Sequence, residues 1–129
     1  MTPAQPPLLA GRSTADYDRI LVAPVMTSGA CIAWGCIVRL LPDLRELDAV
    51  AAITTVTAVV GIIAIITTLV FGLLYSRRRS AEASAGYTLV HGFRQDLPQL
   101  NPTTGMVVRP AGEPFLTRDQ RRELFGRKR

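Results

Sequence analysis

Two long apolar segments without a charged residue, residues 20–38 and 49–75, dominate the hydrophobic pattern of this chain. They contain 19 and 27 residues, respectively. A helix needs about 20 apolar residues to cross the roughly 30 Å hydrocarbon core of a bilayer. The pattern therefore predicts an all-α membrane protein built on a two-helix transmembrane hairpin, with transmembrane helix 1 over residues 20–38 and transmembrane helix 2 over residues 49–75.

Three more polar segments flank these helices: an N-terminal arm of residues 1–19, a short connector of residues 39–48 and a C-terminal tail of residues 76–129. Four prolines exclude a continuous helix from the tail; they are Pro98, Pro102, Pro110 and Pro114. The tail is therefore predicted to be largely irregular.

Short ordered pieces are nevertheless expected within the tail. Residues 87–93 and 106–109 have the composition of short extended segments, and residues 101–105 (NPTTG) between them are typical of a turn. Thr117 is followed three residues later by Gln120, the pattern of a helix-capping box. We therefore expect the tail to end in a short basic helix that reaches about Phe125.

The net charge of +5 is concentrated in the tail, which holds eleven Lys and Arg residues against five Asp and Glu residues. Arg77, Arg78 and Arg79 directly follow the second apolar segment. Such a cluster favours the cytoplasmic side and attracts anionic headgroups by about 1 kcal/mol per residue. We expect both termini in the cytoplasm and these arginines at the membrane surface; a flipped hairpin is the alternative.

Small and hydroxyl-bearing residues form a stripe along one face of the second segment. The stripe consists of Thr54, Thr57, Gly61, Ala64, Thr68 and Gly72. A shorter stripe on the first segment consists of Thr27, Cys31 and Gly35. Helices in lipid associate through close packing and hydrogen bonds, because lipid tails are as apolar as leucine. We interpret both stripes as helix-packing positions, either between the two helices of one chain or between several copies.

Residues with catalytic or ligand-binding chemistry are sparse. No Asp, Glu, His, Lys or Arg lies in either apolar segment, whereas pumps and transporters typically place such residues there. His91, the only histidine, has no partner at metal-ligand spacing. Catalytic and nucleotide-binding motifs are lacking, and so are the patterns of nucleic-acid-binding domains. We predict a non-enzymatic protein with no cofactor or metal, and we do not expect nucleic acid as a partner.

The tail contains only about a dozen large apolar residues, too few to form a stable core alone. The tail is therefore either a disordered, solvated cytoplasmic segment or is ordered by the lipid bilayer or a protein partner. The leading hypothesis is an accessory or anchoring subunit of a larger membrane-protein complex, with the tail as its docking segment. Its expected docking residues are the aromatic residues Tyr87, Phe93, Phe115 and Phe125.

The architecture also resembles that of small phage holins, which combine a two-span hairpin, an uncharged membrane region and a basic C-terminus. This resemblance implies a homo-oligomer that permeabilises the membrane. The long proline-containing tail departs from the simple charged tail expected of that family. A third hypothesis is a regulator that binds anionic lipids through its basic tail.

Overall fold

The computed structural model describes residues 7–41, 43 and 46–125. The chain is mostly helical. Its elements are α1 (Thr14–Leu40), α2 (Asp48–Ser84), β1 (Gln99–Leu100), β2 (Val107–Arg109) and α3 (Arg118–Phe125). Parts of the predicted arm, connector and tail lie outside the described residues: residues 1–6, 42, 44–45 and 126–129.

The chain divides into two compact units. Tyr17–Leu74 form the first, which we call the hairpin unit. Residues 7–16 and 75–125 lie in the second, which we call the basic unit.

Helix α1 begins six residues before the predicted span because a capping box fixes its start. Asp16 Oδ2 accepts a hydrogen bond from Ser13 N at 2.9 Å, and Asp16 N donates to Ser13 Oγ at 3.3 Å. This reciprocal pairing satisfies backbone groups that a helix start would leave unpaired. Pro24 consequently lies inside the helix.

Helix α2 has 37 residues and continues nine residues past the predicted span. It ends at Ser84, just before Gly86, whose φ of +86° glycine adopts at little energetic cost. There Tyr87 N donates to Glu82 O at 3.2 Å and Gly86 N donates to Ala83 O at 3.1 Å. These two bonds form a Schellman motif, the usual glycine termination of a helix.

Both α1 and α2 are long and apolar enough to cross a membrane. None of the most apolar 18-residue window of α1 is buried, and only 11% of the corresponding window of α2 is buried. The core helix of a soluble protein would bury such a window. The apolar surface of these helices is instead largely exposed.

Within the hairpin unit, α1 and α2 contact each other in antiparallel order. Near the ends of that unit, the rings of Tyr17 and Phe71 lie 6.4 Å apart. Further along, Trp34 Nε1 donates a hydrogen bond to Thr54 Oγ1 at 3.3 Å. Positions later in α1 thus meet positions earlier in α2, which confirms the predicted helical hairpin.

The basic unit has a small core of Tyr87, Leu89 and Leu100. Strands β1 and β2 pair antiparallel with an irregularity in register, so that Gln99 lies opposite Arg109 and Leu100 lies opposite Val107. The turn between the strands is closed by two backbone bonds, Asn101 N to Met106 O and Gly105 N to Asn101 O, each 2.8 Å long. The core is therefore assembled on this two-stranded ribbon.

Most of the local predictions for the tail agree with these elements, with one error. The predicted extended segment at residues 106–109 contains β2, and the predicted turn joins β1 to β2. The extended segment predicted at residues 87–93 is wrong beyond Thr88, which bridges Gln99. Residues 90–93 turn instead, and Gly92 there adopts a φ of +71°.

A short helix, α3, lies where the sequence predicts the terminal helix, and Thr117 and Gln120 cap its start. Thr117 N donates to Gln120 Oε1 at 2.9 Å, and Gln120 N donates to Thr117 Oγ1 at 3.4 Å.

The substitution Gly86→Ala is expected to destabilise the basic unit by about 1 kcal/mol, because a β-carbon disfavours positive φ. Amide hydrogen exchange at Thr88 and Leu100, whose N–H groups bond across this unit, should accelerate about fivefold. The matched control is Gly72→Ala, which is helical and has open space around a new β-carbon. Unchanged exchange rates in Gly86→Ala would contradict this account of the helix end.

Candidate functional site

The predicted small-residue stripe of α2 lies along the least exposed side of that helix in the hairpin unit. Gly61 and Ala64 are buried, and Thr54, Thr57, Thr68 and Gly72 are partly buried. Their neighbours Val56, Ile63 and Leu69 point away and are more than half exposed. The aliphatic residues thus cover the outer surface of α2, and the small residues face inward.

Helices α1 and α2 approach each other closely at Gly61. A β-carbon built there would lie 3.1 Å from Cys31 Cβ and 3.6 Å from Cys31 Sγ. Only glycine fits this spacing without movement of its neighbour. The structure thus brings together one predicted packing residue from each stripe, Cys31 and Gly61, within a single chain.

The two stripes do not match along their whole length. Gly35 is exposed and Gly72 is partly buried, and a β-carbon at either position would meet no atom within 4 Å. Trp34 and Val38 face α2 in place of Gly35: Trp34 bonds Thr54, and Val38 is only 8% exposed. An open groove of about 560 Å³ at this end is lined by Gly35, Val38, Arg39, Val50, Ala51 and Thr54.

Threonine hydroxyls in the hairpin unit donate to their own helix. Thr27 Oγ1 donates to Ala23 O at 2.9 Å, Thr54 Oγ1 to Val50 O at 2.7 Å and Thr68 Oγ1 to Ala64 O at 2.8 Å. This arrangement satisfies the hydroxyl proton without water or a partner helix. Thr27, Thr54 and Thr68 therefore act as small packing residues.

The three arginines predicted at the membrane surface have different environments in the basic unit. Arg77 is exposed. Arg78 Nη1 donates to Ala10 O at 2.9 Å, and its Nη2 donates to Leu9 O at 2.7 Å. The guanidinium of Arg79 lies 3.2 Å from the centre of the Phe93 ring. Two of the three arginines predicted to contact lipid headgroups therefore interact with other residues of the protein instead.

A buried carboxylate lies beside this cluster. Glu82 is only 1% exposed and accepts hydrogen bonds from Thr14 N at 3.2 Å and from Thr14 Oγ1 at 2.8 Å. Arg78 Nε also donates to it at 3.2 Å. Glu82 thereby caps the start of α1, where the positive end of the helix dipole favours a negative charge.

A buried guanidinium, that of Arg109, organises the loop around the β-ribbon. Arg109 is 1% exposed and donates to five backbone carbonyl oxygens. These acceptors belong to Arg94, Gln95, Leu97, Pro110 and Glu113, at 2.8–3.3 Å. Sequence reasoning missed this role because backbone carbonyls leave no signature in the sequence.

The four predicted docking aromatics are used in different ways. Tyr87 is fully buried and its hydroxyl accepts a hydrogen bond from Leu9 N at 3.0 Å, so it has no surface left for a partner. The Arg79 guanidinium lies over the Phe93 ring. The Phe125 and His91 rings pack edge to face, with their centres 5.1 Å apart. Phe115 is 43% exposed, 5.3 Å from the Arg109 guanidinium. Among these four, Phe115 offers the largest surface for docking.

A basic pocket of about 430 Å³ lies between His91 and α3. Its lining residues are His91, Arg118, Arg121, Arg122 and Phe125. The side-chain amide of Gln99 in β1 contacts His91 Nδ1 and holds the ring at the pocket. Sequence reasoning did not assemble this pocket, because His91 and α3 are about 30 residues apart.

The environment of His91 opposes its protonation. Burial, and then the positive charge of Arg121, lower the pKa of His91 below its ordinary value. The pocket therefore presents a largely neutral imidazole surrounded by arginines at neutral pH.

Among the described residues, no group of three or more His, Cys, Asp or Glu side chains is placed to hold a metal ion.

No protein-family model, curated protein or solved structure matches this chain.

The Cys31–Gly61 contact predicts that cysteines at these two positions can be crosslinked within one chain. In a Cys36→Ser background, Gly61→Cys should form a disulfide with Cys31 inside one chain on mild oxidation. A β-carbon at residue 61 would lie 3.1 Å from Cys31 Cβ, and a shift of a few tenths of an ångström brings the pair into the disulfide range of about 3.5–4.5 Å. The expected product is a monomer on non-reducing gels that no longer reacts with maleimide.

Gly72→Cys in the same background is the control and should retain both thiols, because no atom lies within 4 Å of a β-carbon there. Covalent dimers from Gly61→Cys, without the internal disulfide, would place the packing contact between copies instead.

His91 should titrate below pH 6.5 in the folded protein, and Arg121→Gln should raise its pKa towards that value. Since folding lowers this pKa, the contribution of His91 to stability is complete above pH 6.5 and is lost as the pH falls below it. Proton NMR of the single histidine measures the first effect directly. A pKa at or above 6.5 would contradict the described environment.

Proposed function

We propose that this protein is a small, non-catalytic integral membrane protein that acts as an anchoring or accessory subunit of a larger membrane assembly. The observation that carries the proposal is the exposed aliphatic surface of α1 and α2, which includes Met26 at 70% and Leu73 at 66% exposure. Burial of each such side chain is worth about 1.5–3 kcal/mol. Lipid tails or the helices of a membrane partner are the environments that cover this surface.

The basic unit supports a specific topology for this anchor. It contains both residues 7–16, before or at the start of α1, and residues 75–125, which follow the hairpin. Both ends of the hairpin therefore belong on the same side of the membrane. The excess of Lys and Arg in the tail favours the cytoplasmic side.

Docking through the basic unit is the proposed route to the partner. Tyr87, Leu89 and Leu100 already form a core, so the unit does not have to order its whole chain when it binds. Such preorganisation lowers the entropic cost of association. Phe115 is the proposed aromatic anchor because it remains 43% exposed.

The alternative, a holin-like protein that self-assembles into a membrane lesion, has less support. It requires a polar helix face that is open to water or to further copies. In the hairpin unit the small-residue face is occupied, with Ala64 only 6% exposed and Gly61 packed on Cys31. The threonine hydroxyls donate to their own helices.

Extraction of the tagged full-length protein in a mild detergent should yield a particle with a second protein in a fixed ratio, measured by native mass spectrometry. Phe115→Ala should reduce recovery of that protein, since it removes the exposed ring. The control is Met106→Ala, which truncates another exposed apolar side chain of the same unit.

Particles that contain only copies of this chain would overturn the accessory-subunit proposal and favour the holin-like alternative. Equal recovery of the partner with the Phe115→Ala and Met106→Ala proteins would exclude Phe115 as the anchor. The composition of the particle alone would then decide the subunit proposal.

A further inference from the structure

Three arginines lie on one face of α3. At 100° per residue, Arg118, Arg121 and Arg122 fall within an arc of about 100°, with Phe125 between them. Asp119 and Glu123 lie on the neighbouring side of the helix. The helix thus presents three positive charges together instead of alternating them with its two acids.

These arginines are also free of partners in the described part of the chain. The ion pairs found there within 4.0 Å are Arg78–Glu82 and Arg94–Asp96, and neither involves α3. The guanidinium groups of Arg118, Arg121 and Arg122 make no side-chain hydrogen bond to the described residues, in contrast to Arg109 with its five carbonyl acceptors. Their donors are therefore available to a ligand.

The three arginines line one pocket together with His91, so their N–H donors can reach the same ligand. The pocket is shallow and open to solvent, with a volume of about 430 Å³, and Phe125 forms an apolar wall on one side. His91 adds a ring nitrogen to the same space, with its orientation set by Gln99 and by the edge contact with Phe125.

The chemistry of the lining favours a phosphate group. Guanidinium groups form paired hydrogen bonds with phosphate oxygens, and several of them together match its multiple negative charges. No carboxylate lines the pocket among the described residues to compete with such an anion. We propose that the basic pocket of His91, Arg118, Arg121, Arg122 and Phe125 binds a phosphate group, carried either by an anionic lipid headgroup or by a soluble phosphate compound.

The single histidine is a direct reporter for this site. The full-length protein is placed in maltoside micelles, which contain no phosphate, and the His91 ring protons are followed by NMR during titration with inorganic phosphate. Sodium chloride at equal ionic strength is the reference, because exposed charges respond to screening alone. A saturable shift with phosphate, and none with chloride, is expected.

The double variant Arg121→Gln/Arg122→Gln should weaken phosphate binding at least about tenfold, because each lost charge-assisted bond contributes substantially to affinity. Glutamine is close to arginine in helix propensity, so α3 should remain folded. The matched control is Arg12→Gln/Arg19→Gln, which removes two exposed arginines outside the pocket. Its affinity for phosphate should stay within twofold of the unchanged protein.

Lipid nanodiscs distinguish the two sources of the phosphate group. A His91 shift in discs that contain phosphatidylglycerol, relative to phosphatidylcholine alone, which disappears in Arg121→Gln/Arg122→Gln would identify a lipid headgroup. A shift with inorganic phosphate but not in these discs would identify a soluble ligand. The proposal is overturned if neither probe shifts His91, or if the pocket variant and the control variant respond alike.

Discussion

Glu82 carries a carboxylate at 1% exposure, where a negative charge is unfavourable unless it is fully hydrogen-bonded. Thr14 supplies two donors from the start of α1, and Arg78 supplies a third from one turn earlier in α2. Arg78 also bonds the carbonyls of Leu9 and Ala10. The arm is thereby held against the end of α2, and removal of either donor residue would leave Glu82 buried with too few partners.

The rest of the basic unit is built outward from this attachment. Immediately after Glu82 the Schellman motif at Gly86 ends the helix and sends Tyr87 into the core. The Tyr87 hydroxyl then accepts the amide of Leu9, so the arm closes over the same core. The tail has few apolar residues, and Leu8 and Leu9 of the arm remain exposed, so the arm contributes hydrogen bonds and little apolar burial. Residues 7–16 and 75–125 together therefore form one small folded unit.

The sequence predicted those parts of the fold whose causes are local. Uncharged apolar length identified α1 and α2, a capping box identified α3, and Asn101–Gly105 chemistry identified the turn of the ribbon. The extra turns of both long helices were missed because the Ser13–Asp16 capping box that starts α1 and the glycine motif that ends α2 both lie outside the apolar segments. Partnerships over long sequence distances were also missed, such as Glu82 with Thr14 and His91 with α3. The small-residue periodicity did predict which face of α2 is least exposed, because close packing favours small side chains wherever two helices meet.

Several arginines of the basic tail have partners inside the protein, so the positive charge available to an external anion is smaller than the sequence suggests. Arg78 and Arg109 are engaged with backbone carbonyls, Arg79 lies on Phe93, and Arg94 pairs with Asp96 at 2.6 Å, which lowers the pKa of that carboxyl. These arginines stabilise the basic unit and contribute less to attraction of an external anion. Within the described residues of the tail, the arginines left for such an anion are Arg77 and the three of α3. The arginine cluster that directly follows the second apolar segment is therefore mainly structural, and the proposed anion site lies at the C-terminal helix instead.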